Sequence, residues 1–93
     1  MTEQQIQKKI LTMLEKDYDA YVVKVVSANK SGVPDIVACI DGRFIGIEVK
    51  RPASRSTVSP LQAYNLDKIE EKGGLSMVAW NVEMVREFLE EML

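Results

Sequence analysis

The dipeptide Asp41-Gly42 constrains this chain more than any other feature. It separates two apolar runs, Ile36 to Ile40 and Arg43 to Val49. A two-residue Asp-Gly loop favours a type I′ hairpin turn, and a turn of that length fixes the register. Ile40 then pairs with Arg43, and every further pair follows. One face of the hairpin carries Val37, Cys39 and Phe44; the other carries Ile36, Ala38, Ile40, Ile45, Ile47 and Val49. Strands apolar on both faces need cover on both faces. The expected architecture is therefore an α/β sandwich, a mixed central sheet between helical layers.

The remaining elements fall around this hairpin. Thr2-Glu3-Gln4-Gln5 reads as a capping box. Ile6, Ile10, Met13 and Leu14 follow at helical spacing, so a first helix runs to about Lys16. Tyr21 to Val26 is β-branched and aromatic apart from Lys24 and reads as a strand. Ser27 to Ser31 is loop, and the polar stretch Pro52 to Ser59 is an exposed loop. Ser59 and Pro60 open a second helix, which Gly73-Gly74 close. Leu75 to Trp80 is a fourth strand, and Asn81 caps a last helix with Val85, Phe88, Leu89 and Met92. The order is α-β-β-β-α-β-α.

With 93 residues and no linker or repeat, residues 1–93 form one domain, with an expected radius of gyration of about 12 Å. No apolar run approaches the roughly 20 residues a membrane helix needs, and Met1 to Leu14 has no signal-peptide pattern. The chain has no histidine and one cysteine, Cys39. That excludes Ser-His-Asp and Cys-His catalysis, the usual zinc sites and an intramolecular disulfide.

The hairpin register puts Asp35 directly opposite Glu48, their Cβ atoms about 5 Å apart on one face. Lys50, two residues beyond Glu48, shares that face. Two such carboxylates repel each other unless a proton or cation intervenes. A hard divalent cation with oxygen ligands resolves the repulsion, and Lys50 can hold a water or phosphate oxygen. The competing reading makes Asp35 and Glu48 solvated strand ends with Lys50 as their salt-bridge partner. Glu3 lies on the stripe of Ile6 and Ile10. It either faces the sheet or is a first-turn acid on the helix dipole. Gln62 closes a capping box with Ser59, yet shares a face with Leu66 and Ile69 and could point to the same site. Lys24 sits mid-strand, either near the site or turned to solvent.

Gly32-Val33-Pro34-Asp35, twelve residues, then Glu48-Val49-Lys50 resembles the PD-(D/E)XK nuclease superfamily. Glu3 opening the first helix, Glu48-Val49-Lys50-Arg51 and Ser59-Pro60-Leu61-Gln62 make the chain similar to a VRR-NUC domain. The resemblance runs from Glu3 to the last helix. It implies a restriction-endonuclease-like fold and metal-dependent hydrolysis of DNA phosphodiesters. Asp35 and Glu48 would hold Mg²⁺ or Mn²⁺ with the Val49 carbonyl. Lys50 would position or help deprotonate the attacking water. Glu3 would stand near the metal and Gln62 near the water or substrate. Stand-alone domains of this kind are typical of phage and bacterial genomes, so a cytoplasmic location is expected. They resemble homodimeric resolvases of branched DNA such as four-way junctions. The last helix and Trp80 are candidates for a dimer interface, unless they pack on the protomer's own sheet. Flap, nicking or unspecific DNA cleavage is the nearest alternative, and a non-catalytic nucleic-acid-binding module is the other.

A net charge of −2 argues mildly against a nucleic-acid binder, but the charges are uneven. Lys24, Lys30, Arg43, Lys50, Arg51 and Arg55 fall in the stretch around the two carboxylates, while acids crowd the last helix. Lys24, Lys30, Arg51 and Arg55 are the candidate contacts to the phosphate backbone.

Overall fold

The computed structural model describes residues 1–51 and 57–93; Arg55 therefore lies outside the described residues. The elements are α1 (Glu3–Tyr18), β1 (Tyr21–Lys24), β2 (Ile36–Ile40), β3 (Arg43–Val49), α2 (Pro60–Glu71), β4 (Leu75–Ala79) and α3 (Val82–Met92). The strands form one mixed sheet in the order β1-β2-β3-β4. β1, β2 and β3 are successively antiparallel, and β4 runs parallel to β3 after the α2 crossover. The radius of gyration is 12.3 Å. This is a restriction-endonuclease-like α/β sandwich.

The hairpin has the register set by its turn. Ile40 pairs with Arg43 and Ile36 with Ile47. Asp41 (φ 49°) and Gly42 (φ 81°) both take the left-handed backbone that a type I′ turn demands. Ile36, Ala38 and Ile40 share one face with Ile45, Ile47 and Val49. There they meet Ile6, Ile10 and Leu14 of α1 and Val85 and Leu89 of α3 in a single core. Ile10, Leu14, Val85 and Leu89 have no exposed surface; each such burial is worth about 1.5–3 kcal/mol. Arg86 on α3 donates to Asp17 on α1 at 2.7 Å, tying the two helices of this layer together.

The last helix therefore spends its apolar stripe inside the protomer. Val85 and Leu89 are buried, and Phe88 packs against the core. Of the expected dimer contacts on α3, Met92 remains exposed. An amphipathic helix with a core to cover packs there first, so for Val85, Phe88 and Leu89 the structure favours the alternative, packing on the protomer's own sheet.

The opposite face of the sheet also departs from expectation. α2 covers β3 and β4 only. Among the described residues no helix lies over β1 and β2 on this face; Tyr21, Cys39 and, at the turn end of β3, Phe44 stay exposed, at 73% for Tyr21 and 46% for Phe44. A single helix is about 10 Å across and strands lie about 4.8 Å apart, so one helix packed on β3 and β4 does not also roof β1 and β2. β1 is also shorter than its β-branched run suggests. Val25 still donates to the Asp35 carbonyl at 2.8 Å, and the ladder then ends.

Candidate active site

The candidate site lies where β2 begins and β3 ends, on the α2 face of the sheet. Glycines and a proline bring the parts together. Gly32 has φ +80°, and a Cβ there would lie 2.8 Å from Leu61 Cγ and 3.0 Å from the Leu61 backbone. Only glycine meets both conditions. Asn65 Nδ2 secures the contact by donating to the carbonyl oxygens of Ser31 (3.2 Å) and Leu61 (2.9 Å). Two residues on, Pro34 is buried over Gly46, where a Cβ would meet Pro34 Cγ at 3.0 Å and Ile69 Cδ1 at 2.6 Å. The Gly-Val-Pro-Asp segment is thus clamped between α2 and β3, and Asp35 enters the sheet at a fixed height.

Asp35 stands opposite Glu48 by continuation of the hairpin register. Its Oδ2 accepts from the Val49 backbone N–H at 2.8 Å. Glu48 is buried, 3% exposed, and its Oε1 has no hydrogen-bond partner among the described residues. Its Oε2 accepts from Gln62 Nε2 at 3.0 Å and lies 3.6 Å from Lys50 Nζ. Burial pushes the Glu48 carboxyl up to about 7. The charge of Asp35 adds to the rise, and that of Lys50 opposes it. Lys50 is also buried and donates to Gln62 Oε1 at 3.1 Å.

Gln62 does two jobs at once. Its Oε1 also accepts from Ser59 N–H at 3.0 Å, and its own N–H is capped by Ser59 Oγ at 3.1 Å. The capping box and the inward-pointing amide are one arrangement. Glutamine suits it because an amide can accept from an ammonium and donate to a carboxylate. A glutamate would cap equally well but set a third carboxylate against Glu48.

Glu3 lies at the start of α1, and its Oε2 accepts from Arg51 N–H at 3.4 Å. Among the described residues no three acidic, cysteine or histidine side chains converge as a ready metal cage. Glu3 thus approaches the end of β3 without completing a three-carboxylate cluster. Lys24 pairs with Ile36 and so shares the α1 face, across the sheet from Glu48 and Lys50. It is exposed at the end of an edge strand, and the structure does not bring it to the carboxylates. Lys30 is exposed in the loop before Gly32, and the Arg51 backbone adjoins Glu3.

Gln7 escaped the sequence reading. It lies one turn beyond Glu3, is 7% exposed, and its Oε1 has no partner. Its spacing from Glu3 and Ile10 places it on the buried stripe of α1, a signal the sequence did carry.

The donor chemistry suits a hard divalent ion. Two adjacent carboxylates are present, one with a buried oxygen that lacks any donor. A lysine stands beside them to balance the residual charge.

The element order and the mixed four-stranded sheet define a restriction-endonuclease-like α/β fold. One solved structure, described as a VRR_NUC domain, superposes with a TM-score of 0.78 at 22% identity, covering 95% of this chain and 94% of the other. A second, described as a VRR_NUC domain protein, gives 0.75 at 19% identity over 98% of this chain and 87% of the other. The chain has the VRR_NUC fold. No protein-family model matches the sequence, and no curated protein does. Among the described residues no helix is long and apolar enough to cross a membrane.

Proposed function

We propose that this chain is a VRR-NUC endonuclease that hydrolyses DNA phosphodiesters with a divalent metal, acts on branched DNA as a homodimer, and works in the cytoplasm. The observation that carries the reading is the buried, unpartnered Oε1 of Glu48 beside Asp35. An orphaned carboxylate oxygen next to a second carboxylate is costly unless a proton or a cation completes it, and above about pH 7 that falls to a cation. Asp35, Glu48 and the Val49 carbonyl would hold Mg²⁺ or Mn²⁺, with Glu3 close by. Bound there, the ion would polarise a phosphoryl oxygen and acidify a water.

The chain's own groups supply position and charge. Lys50 points its ammonium across the carboxylates and holds the attacking water or a non-bridging phosphate oxygen. Gln62 fixes both Glu48 and Lys50, so neither rotates away as the phosphate arrives. Water oxygen bonds to phosphorus, the bond to the leaving oxygen breaks, and that oxygen takes up a proton. Lys30, Arg51 and Arg55 are the candidate backbone contacts. A two-fold dimer places two such sites in symmetric positions, as paired incision of a four-way junction requires.

The test is a cleavage panel of four-way, flap and linear duplex DNA with Mg²⁺ or Mn²⁺. The expected result is paired incision of the four-way substrate, lost in Asp35→Ala and Glu48→Ala while binding persists. Cleavage of flaps alone would move the substrate. Full activity in either variant would remove these residues from the site. No cleavage of any substrate, with binding intact, would leave a nucleic-acid-binding module.

A further inference from the structure

The open half of the sheet and the side of α2 enclose a groove of about 360 Å³. Its floor is apolar, from Pro34, Val37 and Phe44, and Lys30, Lys68 and Lys72 stand along it. Among the described residues no carboxylate lines it, although acids outnumber bases in the chain. Lys68 is shared with Glu71 at 3.3 Å and lies 5.4 Å from the centre of the Tyr64 ring. The groove opens beyond Phe44 onto a row set by the strand register, Phe44 to Cys39 to Tyr21. At its other end, Pro34 is the chain neighbour of Asp35. The groove, its cationic side chains and the two exposed aromatic rings therefore share the sheet face of the candidate carboxylates, on the far side of the clamped Pro34.

The geometry points to an unpaired stretch of the DNA substrate as the occupant of this groove. The inference rests on the nuclease reading above and deepens it. Bases of a single strand expose their faces, and exposed rings on a sheet surface stack on them without regard to sequence. The lysines supply positive charge for a backbone that carries one negative charge per nucleotide. A duplex hides its base faces and cannot use Phe44 or Tyr21. A second copy of this chain would bring its own lysines against these lysines, so the charge favours a polyanion. The chain would thereby prefer junctions where one strand leaves the duplex beside the scissile bond.

Binding of a short fluorescent oligo-dT and of a duplex of equal length, both in EDTA, tests this. In Phe44→Ala the ratio of single-strand to duplex affinity falls about tenfold or more, and in Tyr21→Ala it falls in the same direction. Lys72→Gln lowers the salt slope of single-strand binding by about 0.7. Both rings are exposed, and circular dichroism verifies that the variants fold. An unchanged ratio in Phe44→Ala overturns the proposal. So does sedimentation showing a wild-type dimer that Phe44→Ala dissolves, because the face then belongs to a second copy. A chain that cleaves no DNA yet shows the Phe44-dependent ratio would end the nuclease reading and leave the groove standing. Cleavage with no effect of Phe44 does the reverse.

Discussion

Glu48 makes the stability of the metal-free protein depend on pH in an unusual direction. Its carboxyl rises from 4.5 to about 7 on folding, chiefly through burial. The folded state thus binds a proton that the unfolded chain has already released. The associated stability is fully present below about pH 4.5 and is lost as pH rises through 7. Between about pH 5 and pH 8 the loss is roughly 2–3 kcal/mol. For a domain of this size that lowers Tm by roughly 10–20 °C. The chain has no histidine, so few other groups titrate in this window. Thermal denaturation in EDTA across that range measures the effect. Glu48→Gln keeps the shape and the Gln62 contact but removes the titration, so its Tm should be nearly flat. At about pH 8, millimolar Mg²⁺ or Mn²⁺ should restore the wild-type Tm through binding to the folded state and leave Glu48→Gln unmoved. A wild-type Tm equal at both ends of the range in EDTA, or the same slope in Glu48→Gln, would refute the reasoning.

Gln62→Glu retains the capping box and so should cost little stability at low pH. It should depress cleavage and raise the Glu48 carboxyl further by like-charge repulsion, read from turnover and from the Tm profile. Gly46→Ala forces its Cβ against Ile69 and Pro34. It should destabilise by about 1–3 kcal/mol in urea melts and lower activity by shifting the segment that carries Asp35. Leu89→Ala should cost about 2–5 kcal/mol without changing the oligomeric state by sedimentation, because this side chain is core.

The parts of the fold legible in the sequence are those with local causes. Asp41-Gly42 sets a turn whose geometry permits one register, and that register puts Asp35 opposite Glu48. Thr2/Gln5 and Ser59/Gln62 announce both capping boxes. What was not legible depends on partners distant in sequence. The face carrying Val37, Cys39 and Phe44 is apolar, but how far α2 reaches across it depends on helix length and docking angle. The α3 stripe reads equally well as core or interface until α1 is seen beside it. Gln62 satisfies its cap in the sequence; that the same amide also bridges Glu48 and Lys50 emerges only when α2 is laid on β3. Lys24 is unremarkable until strand pairing puts it across the sheet from the carboxylates.

Asp35 and Glu48 belong to two arms of one hairpin, and this bears on how the protein folds. Most paired charges in a core meet late, when distant segments dock. Here closure of a short local loop brings them together, at low entropic cost. The repulsion between them is therefore felt in the element best placed to form first. A proton or a divalent ion that relieves it acts on the nucleus of folding itself. The Asp35 part of the Glu48 rise should therefore slow folding of the metal-free chain as pH rises through 7, while the larger part, from burial, enters only when the sheet is covered.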